Sequence, residues 1–88
     1  MPYVVYILYS EKDKKLYVGC TSDLRRRLTK HQRGEIPATS HRLPLKCIHR
    51  ETFAGKADAF NRERFLKSLW GSREKQRVKK NFLKQHKA

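Results

Sequence analysis

A chain of 88 residues has no material for a second hydrophobic core, so one domain is expected. Its 22 Lys and Arg against 8 Asp and Glu give a formal net charge of +14, which opposes folding by self-repulsion and favours a polyanionic partner, above all nucleic acid. The apolar run 3–9 is too short for a signal peptide or a membrane span and leads directly into a charged segment, which predicts a cytoplasmic protein with no membrane partner.

A β-hairpin is predicted at the start of the chain. Val, Ile and Tyr are concentrated in residues 3–9 and 15–20, and the polar segment 10–14 separates the two runs. The two strands should therefore pair antiparallel. Side chains alternate between the faces of a strand, so Tyr6 and Tyr17 are neighbours if the faces that carry them coincide.

A first helix is predicted over residues 23–33. The segment 21–23 offers hydroxyl groups to cap the free amides and an acid for the first turn, and Gly34 is a natural stop. At about 100° per residue, the two leucines of this segment form an inward stripe. His31 falls beside that stripe, and Arg27 lies one turn before His31.

The middle of the chain is predicted to contain a loop, a third strand and a second helix. Residues 35–44 indicate the loop, and residues 45–52 indicate the strand. The helix is predicted over residues 56–69, with Glu63 at the edge of its apolar side. That apolar side consists of Ala59, Leu66 and Leu69.

The last third of the chain is strongly basic. Ser72 is predicted to cap a lightly packed helix that continues to about residue 85, and residues 85–88 are predicted to be a loose tail. Residues 61–88 contain ten Lys or Arg and two Glu. Contacts of such groups with phosphates release counterions, so binding should weaken steeply with salt and depend little on base sequence.

Several polar side chains suit the hydrolysis of a phosphodiester. That reaction needs a base to activate water and cations to neutralise charge on the phosphorus oxygens. Tyr6 and Tyr17 can accept or relay a proton, although the sequence does not decide which of them is the base. Arg27 can bind a phosphate through two parallel hydrogen bonds, and Glu63 can hold a divalent metal ion.

These segments, in this order and at this spacing, resemble the motifs of the GIY-YIG endonuclease superfamily. The matching segments are Val4-Val5-Tyr6, Tyr17-Val18-Gly19, Leu24-Arg25-Arg26-Arg27-Leu28-Thr29-Lys30-His31 and Asn61-Arg62-Glu63-Arg64. The likeness covers residues 3–82 and is greatest to the small stand-alone members. Val4 stands where the family name has a glycine, and neither Asn61 nor Asn81 takes the place of the asparagine that many members carry after the glutamate.

The resemblance implies an α+β domain over residues 1–84, with a small three-stranded antiparallel sheet flanked by helices. It implies hydrolytic cutting of DNA, with one Mg²⁺ or Mn²⁺ ion bound to Glu63. The sequence leaves open whether the DNA is single- or double-stranded and does not fix the oligomeric state, for which a monomer is favoured. DNA repair and nucleic-acid turnover are roles that would suit this activity. The implied site residues are the motif tyrosines Tyr6 and Tyr17, the phosphate-binding Arg27, His31 as a proton or phosphate partner, Glu63, and Gly19, where a side chain would obstruct.

The same residues also allow structural interpretations. Tyrosines in strands usually serve packing, and a histidine beside leucines, such as His31, is often a satisfied boundary residue. Glu63 lies four residues before Lys67, which is the favourable order for an ion pair on a helix. Lys67 is in turn a candidate phosphate contact. With these interpretations, the chain is a non-catalytic basic module that binds nucleic acid on the same fold.

The remaining aromatic and sulfur residues are interpreted without a catalytic role. Trp70 is predicted to fill the core rather than to stack on a base. Cys20 and Cys47 are predicted to be reduced thiols, since they have neither CxxC spacing nor a disulfide-rich context. Their spacing to the histidines does not match that of a zinc site.

Overall fold

Three strands and three α-helices make up residues 2–85, the part of the chain that the computed structural model describes. The elements are β1 (Tyr3–Ser10), β2 (Leu16–Thr21), α1 (Leu24–Gln32), β3 (Leu45–Phe53), α2 (Lys56–Lys67), a 3₁₀ turn (Leu69–Gly71) and α3 (Ser72–Gln85). Of the predicted tail 85–88, Gln85 ends α3, and residues 86–88 lie outside the described part. The α+β class with a three-stranded antiparallel sheet is confirmed.

The sheet has the order β2-β1-β3, and both pairings are antiparallel. Tyr6 lies opposite Gly19, and Leu8 lies opposite Tyr17. The faces that carry the two tyrosines therefore coincide, as the hairpin prediction required. Because β1 is paired on both edges and covered on both faces, every residue from position 5 to position 10 is buried.

Each face of the sheet has its own core. One face carries Val5, and α2 covers it with Ala59 and Leu66, all three fully buried. The opposite face carries Tyr6, and the leucines of α1 and of the segment before β3 pack against it. The tyrosine face is thus covered by α1, whereas α2 lies on the other side of the sheet.

The N-terminus of α1 differs in detail from the prediction. Asp23 is the capping residue rather than part of the first turn, and its carboxylate accepts a hydrogen bond from the backbone amide of Arg26 at 3.1 Å. The hydroxyl of Thr21 instead accepts from the amide of Asp23 at 3.1 Å. The carboxylate carries a full negative charge, which makes it the better partner for the positive end of the helix.

The C-terminus of α1 ends in the way that Gly34 predicts. Gly34 has φ +72°, a left-handed conformation that glycine adopts without strain. Its amide donates to the carbonyl of His31 at 3.0 Å, and the amide of Glu35 donates to the carbonyl of Lys30 at 3.0 Å. This pair of bonds is a Schellman motif, and it fixes the backbone of His31 at the end of the helix.

Helix α2 ends at Lys67, two residues before the predicted end. Ser68 is extended, with ψ 169°, and a 3₁₀ turn follows. Gly71 is buried in this turn, where an added Cβ would collide with the carbonyl oxygen of Phe65. The chain has to leave the α-helix for Gly71 to approach that carbonyl.

The predictions that placed Leu69 on the apolar side of α2 and Trp70 in the core are wrong. Leu69 is 89% exposed and Trp70 is 86% exposed. In the 3₁₀ turn it is Gly71 that faces inward. The two large side chains before it are therefore turned toward solvent.

Helix α3 packs lightly, as predicted, although Ser72 does not cap it. The hydroxyl of Ser72 donates to the carbonyl of Leu69 at 2.7 Å, and Ser72 itself has a helical backbone. None of the residues of α3 is fully buried. Val78 touches the core under α2, and the Phe82 ring lies 5.5 Å from that of Tyr9. Within residues 2–85, no helix has both the length and the apolar character needed to cross a membrane.

Candidate active site

A buried chain of hydrogen bonds joins the first strand to the first helix and to the following loop. The hydroxyl of Tyr6 lies 3.0 Å from Nε2 of His31, and Nδ1 of His31 lies 2.7 Å from Oγ1 of Thr39. Tyr6 is 1% exposed, and the other two residues are fully buried. Both ring nitrogens of His31 are therefore satisfied away from water.

Tyr17 completes a cluster of three rings. Its ring centroid lies 6.5 Å from that of Tyr6 and 5.3 Å from that of His31, and the rings of Tyr6 and His31 are 5.8 Å apart. Tyr17 is half-buried, whereas the other two rings are buried. Tyr17 is thus the member of the cluster that solvent reaches most easily.

Gly19 makes room for this cluster. A Cβ at Gly19 would collide with the phenol ring of Tyr6, at its hydroxyl-bearing end. Tyr6 lies directly across the strand pair from Gly19, so its ring leans over a position that has no side chain. A glycine is required here because the space that a side chain would need is filled by Tyr6.

Burial sets the protonation of the hydrogen-bonded pair. Burial, and then the neighbouring Tyr17, raise the pKa of Tyr6 well above its ordinary value, against a lowering by Arg27. Burial, and then Arg27, lower the pKa of His31. At neutral pH the pair is therefore a protonated phenol and a neutral imidazole.

The two candidate charged groups approach the cluster from opposite faces of the sheet. Arg27 is half-buried on α1, and Glu63 belongs to α2. Both charges act on the pKa of Tyr6 and on that of the Cys20 thiol, so both lie within electrostatic range of the second half of β2. Each of the two groups therefore acts electrostatically on Tyr6 and on Cys20, one from either face of the sheet.

Glu63 forms an ion pair with Lys67 and is also largely buried, and its position in the sequence was compatible with both. Its carboxylate lies 3.1 Å from Nζ of Lys67, the ion pair expected at this helical spacing. Its side chain is nevertheless only 18% exposed, while that of Lys67 is 52% exposed. Most of the Glu63 side chain is therefore withdrawn from solvent, although it forms an ion pair with a half-exposed lysine.

The donor set near the cluster fits one hard cation held by few protein ligands. Among residues 2–85, no group of three or more His, Cys, Asp or Glu side chains converges. Mg²⁺ commonly keeps several waters and binds one or two carboxylates together with a substrate phosphate. Glu63 alone is compatible with that mode.

Both cysteines are free, and burial raises the pKa of each thiol.

Thr39 is the residue of this site that sequence reasoning missed. It lies in the segment predicted only as a loop, and nothing in its neighbourhood distinguishes it from other polar loop residues. Two hydrogen bonds of Arg42 hold the loop against the hairpin. Its guanidinium donates to the carboxylate of Asp13 at 2.7 Å, and the backbone carbonyl of Arg42 accepts from the hydroxyl of Ser10 at 2.6 Å. This anchor, formed across 29 residues of sequence, places Thr39 under His31.

Together, this sheet, the tyrosine pair and the charged groups are the features of a GIY-YIG catalytic domain. Residues 2–81 match the family model of that domain, so the chain belongs to the GIY-YIG nuclease family. The earlier resemblance is confirmed at the level of the family. The individual roles of Tyr6, Tyr17, Arg27, His31 and Glu63 stay predictions.

The relatives of the chain include several UPF0213 proteins. The chain is 38% identical over 76 residues to a UPF0213 protein of Streptococcus pneumoniae serotype 4, covering 85% of this chain and 72% of that protein. It is 41% identical over 66 residues to one of Natronomonas pharaonis, covering 74% and 76%. The solution NMR structure of a UPF0213 protein from Bacillus halodurans has a TM-score of 0.57 and 33% identity, over 89% of this chain and 83% of that one.

Proposed function

We propose that the protein is a metal-dependent endonuclease that hydrolyses phosphodiester bonds in DNA. The observation that carries the proposal is the hydrogen bond of 3.0 Å between Tyr6 and a neutral His31, formed where the charges of Arg27 and Glu63 also act. A base, a phosphate-binding cation and a metal-binding carboxylate are what this hydrolysis requires.

Tyr6 and His31 form the proton-transfer pair. A phenol is a stronger acid than an aliphatic alcohol, so we assign the Tyr6 hydroxyl as donor to Nε2 and Nδ1–H as donor to Thr39. Water that enters beside the half-buried Tyr17 gives a proton to the oxygen of Tyr6, while the proton of Tyr6 passes to Nε2. This relay avoids a free phenolate, which the raised pKa of Tyr6 opposes.

Substrate binding favours this relay. Arg27 lowers the pKa of His31 because its positive charge disfavours a second one nearby. A phosphate bound to Arg27 neutralises that charge, and the imidazole then becomes a better proton acceptor. The base is strengthened only when the substrate is in place.

Glu63 would hold the divalent ion, and Lys67 would then be released. When bound there, Mg²⁺ or Mn²⁺ neutralises negative charge on the phosphate oxygens. The ammonium of Lys67, now 3.1 Å from the carboxylate, becomes free for a phosphate. The carboxylate of Glu63 would thus have a cationic partner both before and after the metal binds.

The test is cutting of labelled single- and double-stranded DNA in Mg²⁺ or Mn²⁺. Glu63→Gln and Tyr6→Phe should each lower the rate by about 10²-fold or more. Glu35→Gln is the matched control, because Glu35 is an exposed carboxylate in a loop, 3.9 Å from Arg33, and its loss should leave the rate unchanged. Cutting that survives both site changes would show a contaminating nuclease. DNA binding without cutting in either metal would favour the non-catalytic basic module.

A further inference from the structure

The 3₁₀ turn between α2 and α3 displays a large aromatic ring to solvent. Trp70 is the single tryptophan of the chain, and it is 86% exposed. Leu69 beside it is 89% exposed. Tryptophan has the largest apolar surface of any side chain and is normally buried to a large extent, so its display in a small domain calls for a partner.

The backbone beneath Trp70 is fixed. Gly71 is buried against the carbonyl of Phe65, and its amide donates to the carbonyl of Ser68 at 3.1 Å. The hydroxyl of Ser72 closes the turn on the carbonyl of Leu69 at 2.7 Å. A ring presented from such a turn loses little backbone entropy when it binds a ligand.

The turn lies at the end of the helix that carries Glu63. Trp70 follows Lys67 by three residues, and Lys67 already contacts the carboxylate of Glu63. The helix rises only about 6 Å over the four residues from Glu63 to Lys67. Trp70 thus lies close to the candidate metal-binding carboxylate, within reach of a nucleotide that flanks a phosphate bound there.

The charges around Trp70 select a polyanion. Trp70 lines a surface depression with Arg73, Glu74 and Arg77. Glu74 is paired with Arg62 at 2.7 Å and also lies 3.6 Å from Arg77, whose side chain stays 70% exposed. One carboxylate is thus shared among several arginines, and the depression carries a net positive charge. A second copy of the chain would bring its own net charge of +14 to the same surface, which disfavours self-association there.

We propose that Trp70 is a stacking platform for an unpaired nucleobase of the substrate strand, with the flanking arginines on its phosphates. This inference rests on the proposed function only for the position of the strand. The face of a base has to be free for stacking, so the ligand is a single-stranded or unpaired segment. Stacking accepts every base, which agrees with binding that depends little on sequence.

The test is a binding measurement in EDTA, where cutting does not interfere. Titration with short oligothymidylate should quench the fluorescence of Trp70, the only tryptophan that can report. In fluorescence anisotropy, Trp70→Leu should weaken the affinity for the oligothymidylate about tenfold, whereas Trp70→Phe should retain most of it. Leu69→Ala is the control and should change the affinity less than twofold. Affinity for a blunt duplex should be the same in all variants.

Three results would overturn the inference. One is an absence of quenching, and another is a Trp70→Leu variant that binds oligothymidylate as the wild type does. The third is a wild type that sediments as a dimer without DNA while Trp70→Leu sediments as a monomer, since the ring would then be an interface between copies. A protein that passes the binding test and cuts nothing in Mg²⁺ or Mn²⁺ would contradict the proposed function and leave the stacking platform standing.

Discussion

The imidazole of His31 is held at both nitrogens, by Tyr6 through Nε2 and by Thr39 through Nδ1. Burial and the charge of Arg27 keep it neutral, so it has one N–H to donate and one lone pair to offer. A threonine hydroxyl that accepts from Nδ1 leaves Nε2 free to take the proton of Tyr6. In the proposed relay, the direction of proton transfer would thus depend on Thr39, a residue that does not touch the substrate.

Replacement of Thr39 tests this positioning role. Thr39→Val removes the acceptor with little change of shape and should lower the cutting rate at least about tenfold, with unchanged DNA affinity, because Nδ1 loses its partner and the tautomer is no longer specified. Thr39→Ser should keep most of the rate. The ¹⁵N chemical shifts of the His31 ring report the tautomer directly. Identical shifts in wild type and Thr39→Val would refute the role.

Gly19 gives a second prediction at the scale of single residues. Gly19→Ala places a Cβ against the hydroxyl end of the Tyr6 ring, which has to move and lengthen its bond to His31. We expect a loss of about 1–3 kcal/mol in the free energy of unfolding, measured by urea denaturation, together with loss of cutting. Gly55→Ala is the control for the steric clash, since a Cβ there meets nothing within 4 Å. Because Gly55 is the N-cap of α2, where glycine is preferred to alanine, this variant should cost up to about 1 kcal/mol and leave cutting intact.

At the scale of elements, the site depends on two helices that cover opposite faces of one sheet. Helix α1 brings Arg27 and His31 to the tyrosine face, and α2 brings Glu63 from the other side. Within residues 2–85, β2 is an edge strand of the sheet, and the charges of Arg27 and Glu63 both act on Cys20 of that strand. In the proposed site, the order β2-β1-β3 places this edge between the two helices.

The basic helix α3 is predicted to contribute to nucleic-acid binding, and its light packing makes this testable. Its lysines Lys80 and Lys84 are exposed and contribute little to the core. Changing both to Gln should reduce the slope of log affinity against log salt by about 1–2, since each phosphate contact contributes close to 0.9. The control removes the same charge from the hairpin, with Lys12→Gln and Lys15→Gln. Equal reductions in both variants would exclude a specific contribution of α3.

At the scale of the whole molecule, only 8 Asp and Glu offset the mutual repulsion of 22 Lys and Arg in the folded chain. Several of these carboxylates lie in ion pairs that join different elements of the fold, and two of the pairs show the effect. Asp13 on the hairpin pairs with Arg42, and Glu51 on β3 pairs with Arg62 of α2 at 2.8 Å. The hydrogen bonds from these arginines hold the pKa of Asp13 and of Glu51 below their ordinary values.

Stability should therefore fall in acid. A carboxyl group whose pKa is lower in the folded than in the unfolded state stabilises the fold above its unfolded pKa, and this contribution disappears as the pH falls through the folded pKa. We expect the melting temperature to be nearly constant from pH 7 to about pH 5 and to decrease below about pH 4. Asp13→Asn should melt lower at pH 7 and lose less between pH 5 and pH 3. A melting temperature that rises in acid would contradict this account.

Local patterns were sufficient to predict much of this molecule. The hairpin, α1, β3 and the basic character of α3 follow from alternation, helical periodicity, turn residues and charge, which act over a few residues. The convergence of the tyrosines followed from the same alternation, and the family was indicated by the order of the motifs. These features are determined by interactions between residues that are close in sequence, so they can be predicted from local sequence patterns.

Other features were decided only by tertiary structure. Thr39 reached His31 because a loop was anchored to the hairpin from a distance, and Trp70 was turned outward because Gly71 had to pack against a carbonyl of the preceding helix. The burial that shifts the pKa of Tyr6 likewise arises from strands on both sides. Each of these depends on contacts between residues far apart in sequence, or on close packing in space, and neither is encoded in a local pattern.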